Sequence, residues 1–280
     1  MSIVNSINWY IILFLDTLKQ FGRGKIWLPL FLFLGVNWFV LYAHYDFLSP
    51  AFYTIITTWS NIIGEGNSAA FTHYPSHFVL LPSLFGFAKL LTGLLFEGLI
   101  LGGTAIAFRN RYLKDDSDSQ VPIRSAASSW IQLVLAWVSL NSIVLVGEMF
   151  LPDLLDPIIQ DSPRRLAAFQ YVAMPLFYVT MYSLFFFAIP SIALNRINFL
   201  KGIGQSLRIF VRKPFTVFFL SVVILFPAII MSFLIGASPE IVEQFRPETI
   251  YWLLVVSLLA DLMVFFFWMG TAVRFLVAEE

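Results

Sequence analysis

The chain has 280 residues, of which 59% are hydrophobic and 12% charged, and its formal net charge is zero. Soluble domains contain about 45–50% apolar and about 25% charged residues, so this composition excludes a soluble globular protein. The chain has no cysteine, which excludes disulfides, thiolate metal centres and iron–sulfur clusters. The composition predicts an all-α polytopic membrane protein, because long apolar segments satisfy their backbone groups in a bilayer by forming helices.

The N-terminal segment is apolar but too short to cross a bilayer. Its apolar run, Ile7–Leu15, has nine residues, whereas a membrane span needs roughly 20. No basic residue precedes the run and no small-residue cleavage site follows it, so we do not expect a cleaved signal peptide. We predict instead that residues 5–21 form an amphipathic helix lying in the membrane interface.

Six apolar stretches along the chain are long enough to cross a bilayer. The connections between them are too short for a soluble catalytic domain, so we expect one membrane domain over residues 1–280. The predicted spans are Ile26–Ala43, Leu84–Ala107, Trp130–Val146, Leu166–Ala188, Phe215–Ile235 and Ile250–Phe275.

A weak internal repeat accompanies these spans. Residues 18–23 (LKQFGR) resemble residues 207–212 (LRIFVR), and each segment precedes a span that enters from the same side. A third unit can start at Arg124. This pattern suggests three like-oriented helical hairpins, each preceded by a basic interfacial helix, as in membrane proteins that arose by duplication.

Lysine and arginine are distributed unevenly between the connections. Thirteen fall on one side of the six spans, and three (Arg164, Arg165 and Arg246) fall on the other. Because basic residues accumulate in cytoplasmic loops, this asymmetry places both termini in the cytoplasm. The basic side also predicts contacts with anionic lipid headgroups, each worth about 1 kcal/mol near the surface. The alternative is that the bias serves membrane insertion alone. The candidate headgroup contacts are Lys19, Arg23, Lys25, Arg208, Arg212 and Lys213.

The linker between the fourth and fifth predicted spans has a distinctive pattern. A span ends in a proline and a β-branched residue, and a small residue, a serine, a basic pair and a new span follow. The positions are Pro190, Ile192, Gly202, Ser206, Arg212 with Lys213, and Phe215. This pattern resembles a linker in a group of bacterial six-helix membrane proteins. The group includes the YciC-like proteins and the membrane domain attached to some glycerophosphodiester phosphodiesterases. The resemblance implies a six-helix module of the bacterial inner membrane with no assigned catalytic residue.

Two carboxylates lie far from both ends of their predicted spans. Counted from the prolines near the outer ends, Glu97 is fifteen residues in and Asp261 fourteen, which at about 1.5 Å per residue places both near the midplane. An ionised carboxylate in hydrocarbon is unfavourable by several kcal/mol, so each needs a proton or a polar partner. We predict a proton- or cation-binding site formed by Glu97 and Asp261, with Asn37 and Asn141 as neutral ligands. The alternative is that two protonated carboxyls join neighbouring helices.

The second predicted span contains two further features. Lys89 is seven residues after Pro82, or about 10 Å below the predicted outer boundary. Because a helical side chain leans toward the helix N-terminus, which is outward here, we expect the ammonium group to reach the outer headgroups. Gly98 and Gly102 have the spacing that lets a second helix approach closely, either within this chain or from another copy.

Histidines and catalytic motifs give little indication of chemistry. His73 and His77 are spaced like residues on one helical face and can in principle bind a divalent metal, but Pro75 opposes a regular helix between them. We therefore expect no metal site there. The sequence has no phosphate-binding glycine loop, no His-Glu-x-x-His and no Gly-x-Ser-x-Gly motif. We expect no cofactor and no enzymatic activity.

The sequence thus favours a non-enzymatic membrane protein that serves as a scaffold or accessory subunit of a larger membrane assembly. Its partners would be membrane lipids and other membrane subunits or copies of itself, and no feature predicts binding to nucleic acid. Two alternatives stay open. One is a small transporter or permease coupled through Glu97 and Asp261, and the other is a module that binds anionic lipids.

Overall fold

The computed structural model describes residues 3–46, 49–63, 73–113, 121–159 and 162–279. These residues form helices and short connections, with no strand among them, which confirms the predicted all-α class. In chain order the helices are α1 (Ile3–Leu18), α2 (Gly24–Tyr45), α3 (Pro50–Ile63), α4 (Ser76–Tyr112), α5 (Pro122–Ala127), α6 (Trp130–Ile159), α7 (Pro163–Ala168), α8 (Met174–Phe185), α9 (Ala188–Asn195), α10 (Phe199–Arg212), α11 (Pro214–Gly236), α12 (Ser238–Gln244) and α13 (Thr249–Glu279).

Six helical segments of the described chain are long and apolar enough to cross a membrane. Each contains one of the predicted spans, so the predicted six-span polytopic fold is confirmed. The α1 helix forms within the predicted N-terminal segment, and its location in the interface stays a prediction, as does the threefold repeat of hairpins. Spans one to six are Gly24–Tyr45, Ser76–Tyr112, Trp130–Ile158, Pro163–Asn195, Pro214–Gly236 and Thr249–Ala278.

Spans two and three extend beyond their predicted outer ends because their helices continue through proline. The α4 helix begins at Ser76 and passes through Pro82. From the sequence, Pro82 is predicted to lie at the outer end of this span. The α6 helix passes both Pro152 and Pro157. A proline removes one backbone hydrogen bond, and a membrane helix tolerates that loss when neighbouring groups compensate for it. The α4 helix therefore begins six residues before Pro82, the proline from which the depth of Lys89 and Glu97 is counted.

Span four is not a continuous α-helix. One π-helical turn, Phe169–Ala173, separates α7 from α8. A second interruption follows α8, which ends at Phe185, and the chain resumes helical structure at Ala188. Such breaks leave backbone groups without partners along the helix, and these groups must be satisfied from elsewhere when they are buried.

Side chains from two other helices satisfy the backbone at the break between α8 and α9. The hydroxyl of Ser206 in α10 accepts the N–H of Phe187 at 3.0 Å and donates to the carbonyl of Leu184 at 2.7 Å. The indole N–H of Trp268 in α13 donates to the carbonyl of Phe186 at 2.9 Å. The break is therefore a defined part of the fold, held by buried hydrogen bonds.

Contacts divide the chain into two compact units, each assembled from segments that are far apart in sequence. Unit 1 comprises Met1–Pro29, Phe96–Leu225 and Phe265–Glu280. Unit 2 comprises Leu30–Leu95 and Phe226–Val264. The expectation of a single membrane domain stays a prediction.

The core of unit 1 is rich in aromatic rings. Trp27 stacks on Phe266 with their centroids 4.7 Å apart, and Phe21 and Phe108 meet the same ring edge-on at 5.6 and 5.1 Å. Each such pair contributes about 0.5–1.5 kcal/mol beyond the burial of its surface. The α1 helix and the start of span one are thereby packed against the last span.

The α4 and α6 helices approach each other closely in unit 1. A Cβ atom at Gly98 would lie 2.7 Å from the backbone oxygen of Leu133, and one at Gly102 would lie 2.7 Å from the side chain of the same leucine. A larger residue at Gly98 would push the helices apart, and one at Gly102 would displace the side chain of Leu133. The close approach predicted for Gly98 and Gly102 is confirmed, and the contact lies within the chain.

Unit 2 has an aliphatic and aromatic core made by spans one, two and six. Its members are almost completely buried and belong to α2, α4 and α13. They are Leu41, Phe78, Leu81, Phe85, Ile250, Tyr251, Leu254 and Leu258.

Candidate functional site

The α10 helix connects spans four and five and is strongly amphipathic. Its start is capped by Asn198, whose side-chain oxygen accepts the N–H of Lys201 at 2.9 Å. Its buried face contains Gly202 and Ser206. A Cβ atom at Gly202 would lie 2.4 Å from the side chain of Ile192, so α9 and α10 can pack this closely only because residue 202 has no side chain. Three positions of the linker motif, Ile192, Gly202 and Ser206, thus pack helices together.

The exposed face of α10 borders a cleft of about 640 Å³. Three cations, Lys201, Arg208 and Arg212, line it from one face of the helix, because positions seven and four residues apart lie above one another. The other lining residues are Leu194, Asn195, Ile197, Gly204, Gln205, Ile209 and Leu276. The cleft therefore combines a row of positive charges with apolar walls.

These three cations have no acidic partner within the part of the chain that the structure describes. The ion pairs there join Lys19 and Arg274 to Asp16, and Lys89 to Asp261. Like charges on one helical face repel each other by a few tenths of a kcal/mol per pair unless an anion neutralises them. Phosphate suits such a row, because guanidinium groups bind it through two parallel hydrogen bonds.

The cations predicted at the basic linker differ in their surroundings. Arg208 and Arg212 line the cleft, as described above. Lys213 instead lies over the ring of Phe275, 4.8 Å from its centroid. Sequence reasoning missed Lys201, because this residue is not a position of the linker motif. Its distance of seven residues from Arg208 is the signal that indicates a shared helical face.

The cations predicted near the N-terminus do not form a comparable row. Lys19 and Arg274 lie 3.0 and 2.9 Å from the two carboxylate oxygens of Asp16. Burial raises the pKa of Asp16, but the hydrogen bonds from Lys19 and Arg274 outweigh that effect and hold the pKa below its usual value. Arg23 and Lys25 are exposed. Part of this positive charge is therefore neutralised within unit 1.

The most notable intramembrane feature of unit 2 is an ion pair. The ammonium nitrogen of Lys89 in α4 lies 2.5 Å from a carboxylate oxygen of Asp261 in α13, with the side chains 26% and 17% exposed. The expectation that Lys89 reaches the outer headgroups is therefore wrong. Lys89 is thirteen residues after Ser76 and Asp261 is twelve after Thr249, which is nearly the same distance from each helix start. The two charges neutralise each other, and this lowers the cost of placing either in hydrocarbon.

The other members of the predicted ion or proton site have separate surroundings. Asn37 and Asn141 each donate to the carbonyl four residues earlier in their own helix, at 3.0 and 2.9 Å. Within the described residues, the side-chain oxygen of Asn37 is buried without a hydrogen-bond partner. Glu97 is 7% exposed. Asn37 and Asp261 belong to unit 2, whereas Glu97 and Asn141 belong to unit 1, and the four-residue site stays a prediction.

The two histidines with helical spacing lie in different environments. His77 is buried beside the ring of Phe78, with centroids 3.9 Å apart, whereas His73 is exposed. Across the described ranges, no three His, Cys, Asp or Glu side chains lie close enough to hold a metal ion. The expectation that these histidines bind no metal stays a prediction.

No family model, curated protein or solved structure matches the chain significantly. The resemblance of the linker to that of the six-helix bacterial group therefore stays a prediction. Function is accordingly inferred from the cleft beside α10, where the shape of the cavity and the row of cations both favour a phosphate group.

Proposed function

We propose that the protein is a non-catalytic integral membrane module that binds the phosphate groups of anionic lipids along α10. The supporting observation is the cleft of about 640 Å³ lined by Lys201, Arg208 and Arg212. Hydrogen bonds between cations and phosphate oxygens are roughly twice as strong as neutral ones. The apolar walls of the same cleft offer contact area for the lipid segments next to the phosphate.

A second stripe of α10 supports a lipid as the source of the phosphate. Leu200, Leu207 and Val211 each precede one of the three cations, and they are 66%, 38% and 75% exposed. In water this apolar stripe would be unfavourable. In the membrane interface it can enter the acyl region while the cations next to it remain among the headgroups.

Lipid binding to the purified full-length protein tests this proposal. In neutral detergent, native mass spectrometry should show higher affinity for phosphatidylglycerol than for phosphatidylcholine. The double variant Arg208→Gln/Arg212→Gln should lose about tenfold or more of the affinity for phosphatidylglycerol, because two charge-assisted contacts are removed. Added salt should weaken binding to the wild type by screening the same charges.

The matched control is Arg164→Gln/Arg165→Gln, which removes two exposed arginines from α7. This variant should bind both lipids like the wild type. Equal affinity of the wild type for the two lipids, or equal losses in the two double variants, would contradict the proposal.

We also propose that α10 and both termini lie on the cytoplasmic side of a bacterial inner membrane. The support is the distribution of thirteen basic residues on that side against three on the other. Because the chain has no cysteine, single cysteines can report on each side without background. An impermeant maleimide added to intact cells should label Glu240→Cys in α12 and should not label Gly204→Cys on the exposed, cation-bearing side of α10. The reverse labelling would contradict this orientation.

A further inference from the structure

Arg196, at the end of α9, has a backbone conformation that is unfavourable for an arginine. Its φ of 51° and ψ of 36° are left-handed, and it is the one non-glycine residue with a positive φ in the described part of the chain. Glycine or asparagine usually occupies such a position after a helix, because other side chains crowd the backbone there. Non-glycine residues held in such conformations are common at ligand-binding sites.

Arg196 lines a second pocket of about 290 Å³. Ser128, Ser129 and Gln132 line it from the segment where span three begins, and Ile197 and Asn198 complete the lining. The side-chain oxygen of Gln132 accepts the N–H of Phe199 at 2.9 Å, which leaves its amide nitrogen as a donor. Among the described residues that line this pocket, none is acidic. It offers the positive charge of Arg196 and the amide nitrogen of Gln132 to an anion.

The two cavities are neighbours, because Ile197 lines both of them. In the larger cleft, Arg208 and Arg212 lie one helical turn apart and suit one phosphate, and the smaller pocket has a cation and a polar side chain that suit another. A ligand that fills both needs two phosphates separated by a short bridge. In a membrane, that description fits a diphosphatidylglycerol lipid (cardiolipin), whose two phosphates are joined by one glycerol.

We propose that the cleft and the Arg196 pocket together form a site for a lipid with two phosphates, with the second phosphate bound at Arg196. This inference rests on the proposed function and specifies its ligand. It assigns Arg196 a role in lipid selection, whereas Arg208 and Arg212 bind any anionic phospholipid.

The test compares cardiolipin with phosphatidylglycerol at matched total charge, using native mass spectrometry of the full-length protein in neutral detergent. Arg196→Gly should lower the affinity for cardiolipin about tenfold, because it removes a charged contact to one phosphate. It should leave the affinity for phosphatidylglycerol unchanged. Glycine and asparagine both suit a left-handed position, so Arg196→Gly and Arg196→Asn should fold at least as well as the wild type. Arg196→Lys, which keeps the charge, should retain most of the preference.

The outcomes of these experiments distinguish the two-phosphate site from the proposed function on which it rests. Equal affinities of the wild type for the two lipids, or equal losses for both in Arg196→Gly, would overturn the two-phosphate site and leave the proposed function standing. Absence of binding to either lipid would overturn both. Inorganic pyrophosphate added as a competitor should displace little cardiolipin. Complete displacement at concentrations comparable to the lipid would identify a soluble diphosphate as the ligand and overturn the assignment to a lipid.

Discussion

Lys89 in unit 2 and the row of cations on α10 in unit 1 illustrate two ways of accommodating positive charge. Lys89 lies inside a span, and its carboxylate partner Asp261 is 2.5 Å away. Lys201, Arg208 and Arg212 lie on an exposed helical face and have no acidic partner among the described residues. A charge within a span must be neutralised by the fold itself, because lipid cannot solvate it. A charge in the interface can instead be neutralised by a ligand.

The strongest test of this contrast removes one member of the intramembrane pair. Asp261→Asn should destabilise the protein by about 3 kcal/mol, because it leaves the ammonium group of Lys89 without this carboxylate. The thermal unfolding midpoint in detergent should fall accordingly. The double variant Lys89→Met/Asp261→Leu should recover most of the loss, since it removes both charges. If the double variant were as unstable as the single one, neutralisation would not be the reason for the pair.

The second prediction concerns the attachment of α10 to unit 1. Ser206→Ala should cost about 2 kcal/mol, because it leaves the buried N–H of Phe187 without its acceptor. Ser139→Ala is the matched control, since the Ser139 hydroxyl donates to a carbonyl of its own helix. Unfolding midpoints of the two variants should differ clearly. Similar midpoints would show that the Ser206 bonds do not stabilise the break in span four.

A third test fills the cleft without changing its charge. A Cβ atom at Gly204 would meet no other atom within 4 Å, so Gly204→Trp can extend into the cleft without disturbing the core. We expect the affinity for phosphatidylglycerol to fall about tenfold and the unfolding midpoint to stay near that of the wild type. Gly35→Trp, at another glycine with open surroundings, should leave lipid binding unchanged. Unaltered binding in Gly204→Trp would place the lipid elsewhere.

The smallest effect concerns Asp16, whose charge is shared with Lys19 and Arg274. Its pKa in the folded protein lies below the usual value of 3.8, so its contribution to stability is complete above that pH. The contribution is lost as the pH falls through the lowered pKa, because the protonated carboxyl no longer attracts its two partners. We expect Asp16→Asn to lower stability by about 1 kcal/mol or less at neutral pH. The difference from the wild type should shrink on acidification, and a difference that grew would contradict this sign.

The six spans were predictable because each depends on a local property, a long apolar stretch, that is visible in the sequence. The close approach at Gly98 and Gly102 was predictable for a similar reason, since small residues four positions apart permit close helix packing. The pairing of Lys89 with Asp261, in contrast, was not predictable from the sequence. The sequence shows no contacts between helices, and the depth of Lys89 was counted from Pro82 although α4 begins at Ser76.

The cleft also escaped prediction, and for a different reason. Arg208 and Arg212 were predicted as headgroup contacts, but the cavity beside them depends on how Leu194, Ile197 and Leu276 are placed by the tertiary fold. The left-handed conformation of Arg196 leaves no trace in the sequence, because arginine is not a typical residue for it. The accessory-subunit and transporter hypotheses stay predictions, since they concern partners and substrates.

The interruption in span four has a mechanical consequence for α10. The hydroxyl of Ser206 holds the backbone on both sides of that interruption, and Gly202 fits against Ile192 with no space between them. These contacts couple α10 to α9 and to the end of α8. Lipids bound along α10, as proposed above, would therefore act directly on the interrupted end of span four.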